Sequence, residues 1–322
     1  MNHVVKRTLS GLAVGAGVIA IFLWCPLRGV MPLVVVLSAL VQLEFYQMAK
    51  EREPATVFGI ALGTIWLVAV GLYGFGDGLL SLAMVFPAAL VLSAFAVCAW
   101  VLFQPRFTKP ISAVGTTLFG FFYVPFLLGF FLLTVQLGAR GVWGGVPDTW
   151  TRHGLYTLLA IIATAKFSDT GGFAFGMAFG KHKMCPTISP KKSWEGLVGS
   201  MLFSAATACV FLALARRFGW GETVRFWNVL TYPVACALGA ATALLATVGD
   251  LVESRFKRAC GVKDSATFMP AGMGGFLDMF DSILFIPAIF YFPLFYFNIR
   301  CFLFTDEARW GLITPFQHPQ GG

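Results

Sequence analysis

Charge is scarce in this chain. Only 12% of its 322 residues are Asp, Glu, Lys or Arg, 58% are apolar, and mean hydropathy is +0.79. A soluble domain carries about 25% charged residues. Half that share, with no large polar block, excludes a water-soluble enzyme carried on a single anchor. Histidine is nearly absent: His3, His153, His182 and His318 are too scattered for a zinc site of ordinary spacing. The seven cysteines form no C-x-x-C pair, lie mostly in or beside apolar runs, and read as small buried hydrophobes. There is no Walker A loop, no H-E-x-x-H and no G-x-S-x-G elbow, which removes the common nucleotide-hydrolase, zinc-protease and serine-hydrolase classes. No repeat of 20–50 residues appears, and the only biased tract is the tail "QHPQGG".

What is present is apolar length. A helix needs about 20 apolar residues to cross the hydrocarbon core. Such runs fall at 8–25, 30–49, 56–74, 79–103, 111–137, 154–178, 196–216, 227–249 and 280–299, predicting an all-α, polytopic transmembrane bundle of about nine spans. Residues 8–25 are expected to be a retained first span, because no small-residue cleavage site follows "IFLWCPLRG". With the N-terminus inside, fourteen of the 23 Lys and Arg fall on one side and eight on the other, Lys166 lying within a span. The richer side is expected to be cytoplasmic. The net charge of +8 is thus first a topology signal, and no nucleic-acid partner is expected. Three regions result: 1–150, scaffold and lipid-facing helices; 151–300, the catalytic helices; and 301–322, a short extracytoplasmic tail. Glu44 in the second run either reaches the interface or faces the bundle interior.

The remaining charge gathers in three places, all assigned to the cytoplasmic end. Asp250, Glu253, Ser254 and Lys257 follow one another at helical spacing and share a face if the eighth helix continues past Gly249. That stripe suits a water-filled cavity or ligand, or simply a solvated helix with internal ion pairs. Next, Pro270, Gly272, Gly274 and Gly275 make a turn whose N–H groups can approach an anion. Asp278 and Asp281 follow at the start of the last span. One acid there suits the helix dipole, worth about 0.3–1 kcal/mol; two on one face suit a divalent cation with phosphates. Third, Asp169 lies inside an apolar run, paired with Lys166 or functional. After it, Ser189, Lys191, Lys192 and Ser193 form a basic, hydroxyl-rich loop compatible with phosphate or with the positive-inside rule alone.

At these residues the chain resembles the phosphatidate cytidylyltransferase, or CDP-diacylglycerol synthase, family. The family signature runs S-x-x-K-R-x4-K-D-S, P-G-H-G-G, D-R-x-D-S. It is matched by Ser254, Lys257, Arg258, Lys263, Asp264, Ser265, Pro270, Gly274, Gly275, Asp278, Asp281 and Ser282. The segments "LEFYQMAKE", "FSDTGGFAFG", "FGKHK", "ISPKKSWEG" and "GDLVES" are similar too. Met273 stands for the signature His, Met279 for the Arg, and "PAGMGG" is one residue longer than "PGHGG".

The resemblance implies transfer of a cytidylyl group from CTP to phosphatidate, giving CDP-diacylglycerol and pyrophosphate, in a bacterial-type inner membrane with the active site facing the cytoplasm. It implies Mg²⁺, with a second cation allowed, held by Asp250, Asp278 and Asp281. Lys257, Lys263 and Asp264 are the other expected catalytic residues. Ser189, Lys191, Lys192, Glu195, Ser254, Arg258, Gly274, Gly275 and Asp169 are expected to bind substrate. CTP, phosphatidate and membrane lipids are the expected partners, with a homodimer by analogy. The readings weighed against this are a transporter of an anionic metabolite and a family member altered by loss of the His and Arg. Against the transporter, no inverted repeat is visible and the charges cluster at one interface.

Overall fold

The computed structural model describes residues 27–73, 79–139, 148–220, 226–262, 275–281 and 283–294. The expected first span at 8–25, the tail 301–322, and Lys263, Asp264 and Gly274 lie outside these residues. The described chain is mostly helical. In order come α1 (Leu27–Met48), α2 (Thr56–Tyr73), α3 (Leu79–Leu102), α4 (Pro110–Phe121), a π turn (Phe122–Phe126) and α5 (Leu127–Ala139). Then follow α6 (Asp148–Phe179), an antiparallel hairpin of β1 (Lys183–Cys185) and β2 (Ser189–Ser193), α7 (Trp194–Arg217), α8 (Phe226–Val229), α9 (Tyr232–Ala259), α10 (Phe276–Phe280) and α11 (285–294). Among the described residues, six helices are long and apolar enough to cross a membrane: Val30–Met48, Pro110–Gln136, Gly154–Phe179, Trp194–Arg217, Tyr232–Ala259 and Phe276–Leu294. Thr56–Leu72 and Phe86–Leu102 are shorter apolar helices. Large side chains such as Val91, Phe95, Val198 and Leu202 stay exposed on helix surfaces, as lipid contact allows.

Local chemistry sets the boundaries. The run expected at 227–249 divides, because Pro233 starts α9 as a first-turn proline. At its other end α9 runs past Gly249 to Ala259, and Gly261, at φ +71°, closes it in the left-handed conformation. Its 28 residues span roughly 42 Å, longer than a hydrocarbon core of about 30 Å. The Ser193 hydroxyl caps α7 by accepting the Gly196 N–H at 3.2 Å. Pro125 sits in the π turn, where its missing N–H costs no regular helix bond.

Buried polar bonds tie the N-terminal helices. Tyr46 donates its hydroxyl to the Thr117 carbonyl at 2.8 Å, and Gln42 donates to Tyr46 and to the Gly59 carbonyl, both at 3.0 Å. Glu53 accepts from the Thr108 N–H at 2.6 Å, from its hydroxyl, and from the Lys109 N–H at 3.0 Å. In the C-terminal half, α6 and α7 touch backbone to backbone. A Cβ on Gly171 would lie 2.5 Å from the Gly199 carbonyl oxygen, so only glycine allows this approach. Glu53 joins the 50–53 turn to the α3–α4 connection, Arg52 and Cys260 line one cleft, and Lys192 and Lys257 join the hairpin and the start of α10 to α9, so these segments lie at one end of the bundle.

Candidate active site

Three pieces of chain meet there. The first is the polar face of α9, buried or half-buried along its length. Asp250, Glu253 and Lys257 project from successive turns, as their spacing predicts, and the Ser254 hydroxyl donates to Asp250 at 3.4 Å. The second is the start of α10. The third is β2 of the hairpin, whose Lys192 reaches across to α9.

Charge is compensated in pairs. Lys192 Nζ lies 2.6 Å from Asp250 Oδ2 and donates to the Thr247 carbonyl at 3.0 Å. Lys257 Nζ is shared, 2.6 Å from Glu253 Oε2 and 2.9 Å from Asp278 Oδ1. The second oxygen of Asp278 accepts the Gly275 N–H at 3.0 Å and so satisfies the backbone donor at the N-cap of α10. Helix capping and site chemistry thus meet in one residue, each taking one oxygen. Lys166 pairs with Asp169 at 3.5 Å and also donates to the Met279 carbonyl at 3.3 Å, so a cation from α6 serves the turn of Met279.

Among the described residues, Asp250, Glu253 and Asp281 bring carboxylate oxygens within 4.8 Å of one another. Glu253 is fully buried and Asp281 is only 9% exposed. Hard oxygen donors converging in a recess fit a divalent cation such as Mg²⁺ or Ca²⁺. Asp278 stands outside this trio and joins it through Lys257. Gly249 makes the trio possible, because a Cβ there would lie 2.8 Å from the Asp281 carbonyl oxygen.

Of the other expected residues, Glu195 accepts from the His182 N–H at 3.2 Å and lies 2.6 Å from its ring Nδ1, which fixes the base of the hairpin. Ser189 begins β2, opposite Cys185 in the ladder, and Lys191 points to solvent. Arg258 is exposed and donates to the Val262 carbonyl at 3.4 Å, closing the end of α9. Gly275 is buried at the N-cap of α10. Three contributors were not among the expected site residues. Glu253 was visible in the α9 stripe but not given a role. Glu44 of α1, fully buried, accepts the Leu277 N–H at 2.9 Å and pins α10 from the N-terminal half; its only sequence signal is an acid inside an apolar run. Lys166 has no sequence signal beyond its i, i+3 spacing to Asp169.

The sequence profile of the cytidylyltransferase family matches residues 5–297, covering every one of these groups. The chain belongs to this family. It is 31% identical to a phosphatidate cytidylyltransferase of Haemophilus influenzae over 310 residues, 91% of this chain and 99% of the relative. It is 33% identical to one from Mycobacterium bovis over 297 residues, 85% and 82% of the two chains. A Staphylococcus aureus relative of the same name is 38% identical over a shorter stretch of 134 residues, 42% and 47% of the two chains. In this member of the cytidylyltransferase family the acidic trio, the two lysines and the capped α10 therefore form one recess at one end of an apolar helical bundle.

Proposed function

We propose that this chain transfers the cytidylyl group of CTP to phosphatidate, releasing pyrophosphate and forming CDP-diacylglycerol. The observation that carries this reading, beside family membership, is the meeting of Asp250, Glu253 and Asp281 with Lys192 and Lys257 in that recess. A water-soluble triphosphate and a membrane-bound phosphate can meet at such a place. The recess is at the cytoplasmic face of an inner membrane, the end that holds the excess of Lys and Arg, in a bundle of about nine spans.

A phosphatidate phosphate oxygen attacks the α-phosphorus of CTP, and the bond to the β-phosphate oxygen breaks with its electrons leaving on pyrophosphate. The nucleophile is already an anion, so positioning and charge neutralisation carry the rate. Lys257 turns from Glu253 and Asp278 towards the phosphates, and Lys192, held by Asp250 and the Thr247 carbonyl, supplies a second ammonium. Lys191 and Arg258 line the approach of the triphosphate, and Ser189 and Ser254 offer hydrogen bonds to it. Lys263, Asp264 and Gly274, which lie outside the described residues, are assigned to the triphosphate from the signature sequence alone. Glu44 and Gly275 hold α10 so that Asp278 and Asp281 keep their places, and Asp169 holds Lys166. Asp250, Glu253 and Asp281 would hold Mg²⁺, with Asp278 one lysine away; its chemistry there is to draw charge from the phosphates and the departing pyrophosphate.

The test is purified protein in phosphatidate-containing nanodiscs with radiolabelled CTP. Labelled lipid and pyrophosphate should appear in equal amounts and require phosphatidate. CTP left intact by a folded protein overturns the reading.

A further inference from the structure

A second cavity lies between α1, α4 and α9 at the same end of the bundle. It is an open cleft of about 270 Å³, walled by Phe45, Met48, Phe119 and Phe256, with Arg52 and Cys260 in its lining. Phe256 stands edge-on to Phe119 at 5.1 Å and to Tyr123 at 5.8 Å, so an aromatic layer separates the cleft from the carboxylates.

Two observations say what the cleft takes. Gly115, in its wall, faces open space, and a Cβ built there meets nothing within 4 Å. Five residues along the same helix, a Cβ on Gly120 would lie 2.4 Å from Tyr46. The helix is closely packed there and leaves room at Gly115. Secondly, Arg52 is exposed, and the ion pairs formed among the described residues do not include it. A free guanidinium above aromatic walls matches an amphiphile with an apolar chain and an anionic head. A small soluble anion would gain nothing from the three Phe rings, and a neutral lipid would leave Arg52 unused. Guanidinium groups bind phosphate through paired N–H donors. The cleft opens where apolar helices end, which is the depth of lipid head groups.

We propose that this cleft binds an anionic phospholipid, with an acyl chain along Phe45, Phe119 and Phe256 and its phosphate on Arg52. The inference rests on the reading above, that a lipid phosphate reaches this end of the bundle from the bilayer. It adds where such a lipid is held and which residue reads its charge.

Cys260 reports occupancy. Purified protein is placed in nanodiscs of phosphatidylcholine alone, or with added phosphatidate, phosphatidylglycerol or diacylglycerol. Alkylation by N-ethylmaleimide is followed by mass spectrometry of the Cys260 peptide, with the exposed Cys98 as internal reference. Phosphatidate should slow labelling of Cys260 several-fold and leave Cys98 unchanged; protection by phosphatidylglycerol as well supports a site for anionic phospholipids in general. Arg52→Gln should abolish the protection, and Gly115→Leu should slow labelling in every membrane by filling the cleft. No effect of phosphatidate, equal protection by diacylglycerol, or full protection in Arg52→Gln overturns the proposal. Labelling does not depend on turnover: cytidylyl transfer with Cys260 unprotected removes the cleft and leaves the function, and protection without transfer does the reverse.

Discussion

Lys257 is the residue on which the site's charge balance turns, since one ammonium serves two carboxylates from different segments. Replacing it by Met leaves Glu253, fully buried, facing Asp278 without a cation. Breaking a buried pair in this way costs about 3–5 kcal/mol, so Lys257→Met should unfold at markedly lower temperature than wild type in a detergent thermal scan. A midpoint equal to wild type would show that the pairing carries no stability. Glu253→Gln keeps the shape and most of the packing; it should retain a folded, monodisperse protein yet lower labelled-lipid formation about 10²-fold or more, the loss expected when a charge-stabilising group is removed from a site. The α9 stripe was legible in the sequence because helical spacing alone puts Asp250, Glu253, Ser254 and Lys257 on one face. The Glu44 bond to Leu277 was not, because it joins residues 233 apart and its donor is a backbone N–H, which leaves no mark in side-chain pattern.

Helices were the readable elements, since apolar runs announce them, whereas the hairpin was read only as a basic loop. Its strands are three and five residues long, rich in Lys, and show no clean alternation. The break ahead of α9 follows from proline chemistry rather than hydropathy. Close approach of elements is equally hidden, because it depends on glycine without needing a special backbone angle. Gly249→Ala would press a methyl against the Asp281 carbonyl, so the last helix should shift, stability should fall by about 1–3 kcal/mol, and turnover should fall with it. Gly115→Ala, which meets nothing, should instead stabilise by about 0.5–1 kcal/mol through helix propensity. The two thermal scans together check whether the approach of α9 to Asp281 is as tight as described.

The clamp between the 50–53 turn and the start of α4 adds a pH dependence. The Thr108 hydroxyl, helped by the Lys109 and Thr108 N–H groups, holds the Glu53 carboxyl below the usual carboxylate range. A depressed value means that the clamp's stability is present above the ordinary Glu value and is lost as pH falls through the lowered one. Thermal scans of wild type and Glu53→Gln should therefore differ by a constant amount at neutral pH and converge under acid. A gap that widens on acidification contradicts the assignment.

At the scale of the whole molecule, the account depends on one end of the bundle facing the cytoplasm. Lys191 is exposed on the hairpin of that end. A cysteine introduced by Lys191→Cys should react with a membrane-impermeant maleimide in inside-out vesicles and not in right-side-out ones, and the opposite labelling reverses the topology. That the chain is mostly helical, with six membrane-long apolar helices among its described residues, was readable from runs of apolar length; the count of about nine spans and the sidedness belong to the proposal and rest on apolar runs and on the count of Lys and Arg. The meeting of the N-terminal and C-terminal halves through Glu44, and of the hairpin with α9 through Lys192, comes from packing that no single run encodes.

The measurement that bears most directly on the central claim is the position of Mn²⁺, used in place of Mg²⁺, in a structure with CTP bound. Anomalous scattering should place the ion among the carboxylates of Asp250, Glu253 and Asp281 and against the CTP phosphates, and Asp281→Asn should remove or weaken the peak. CTP bound with no ion in that recess, or with the ion held elsewhere and unaffected by Asp281→Asn, would contradict it.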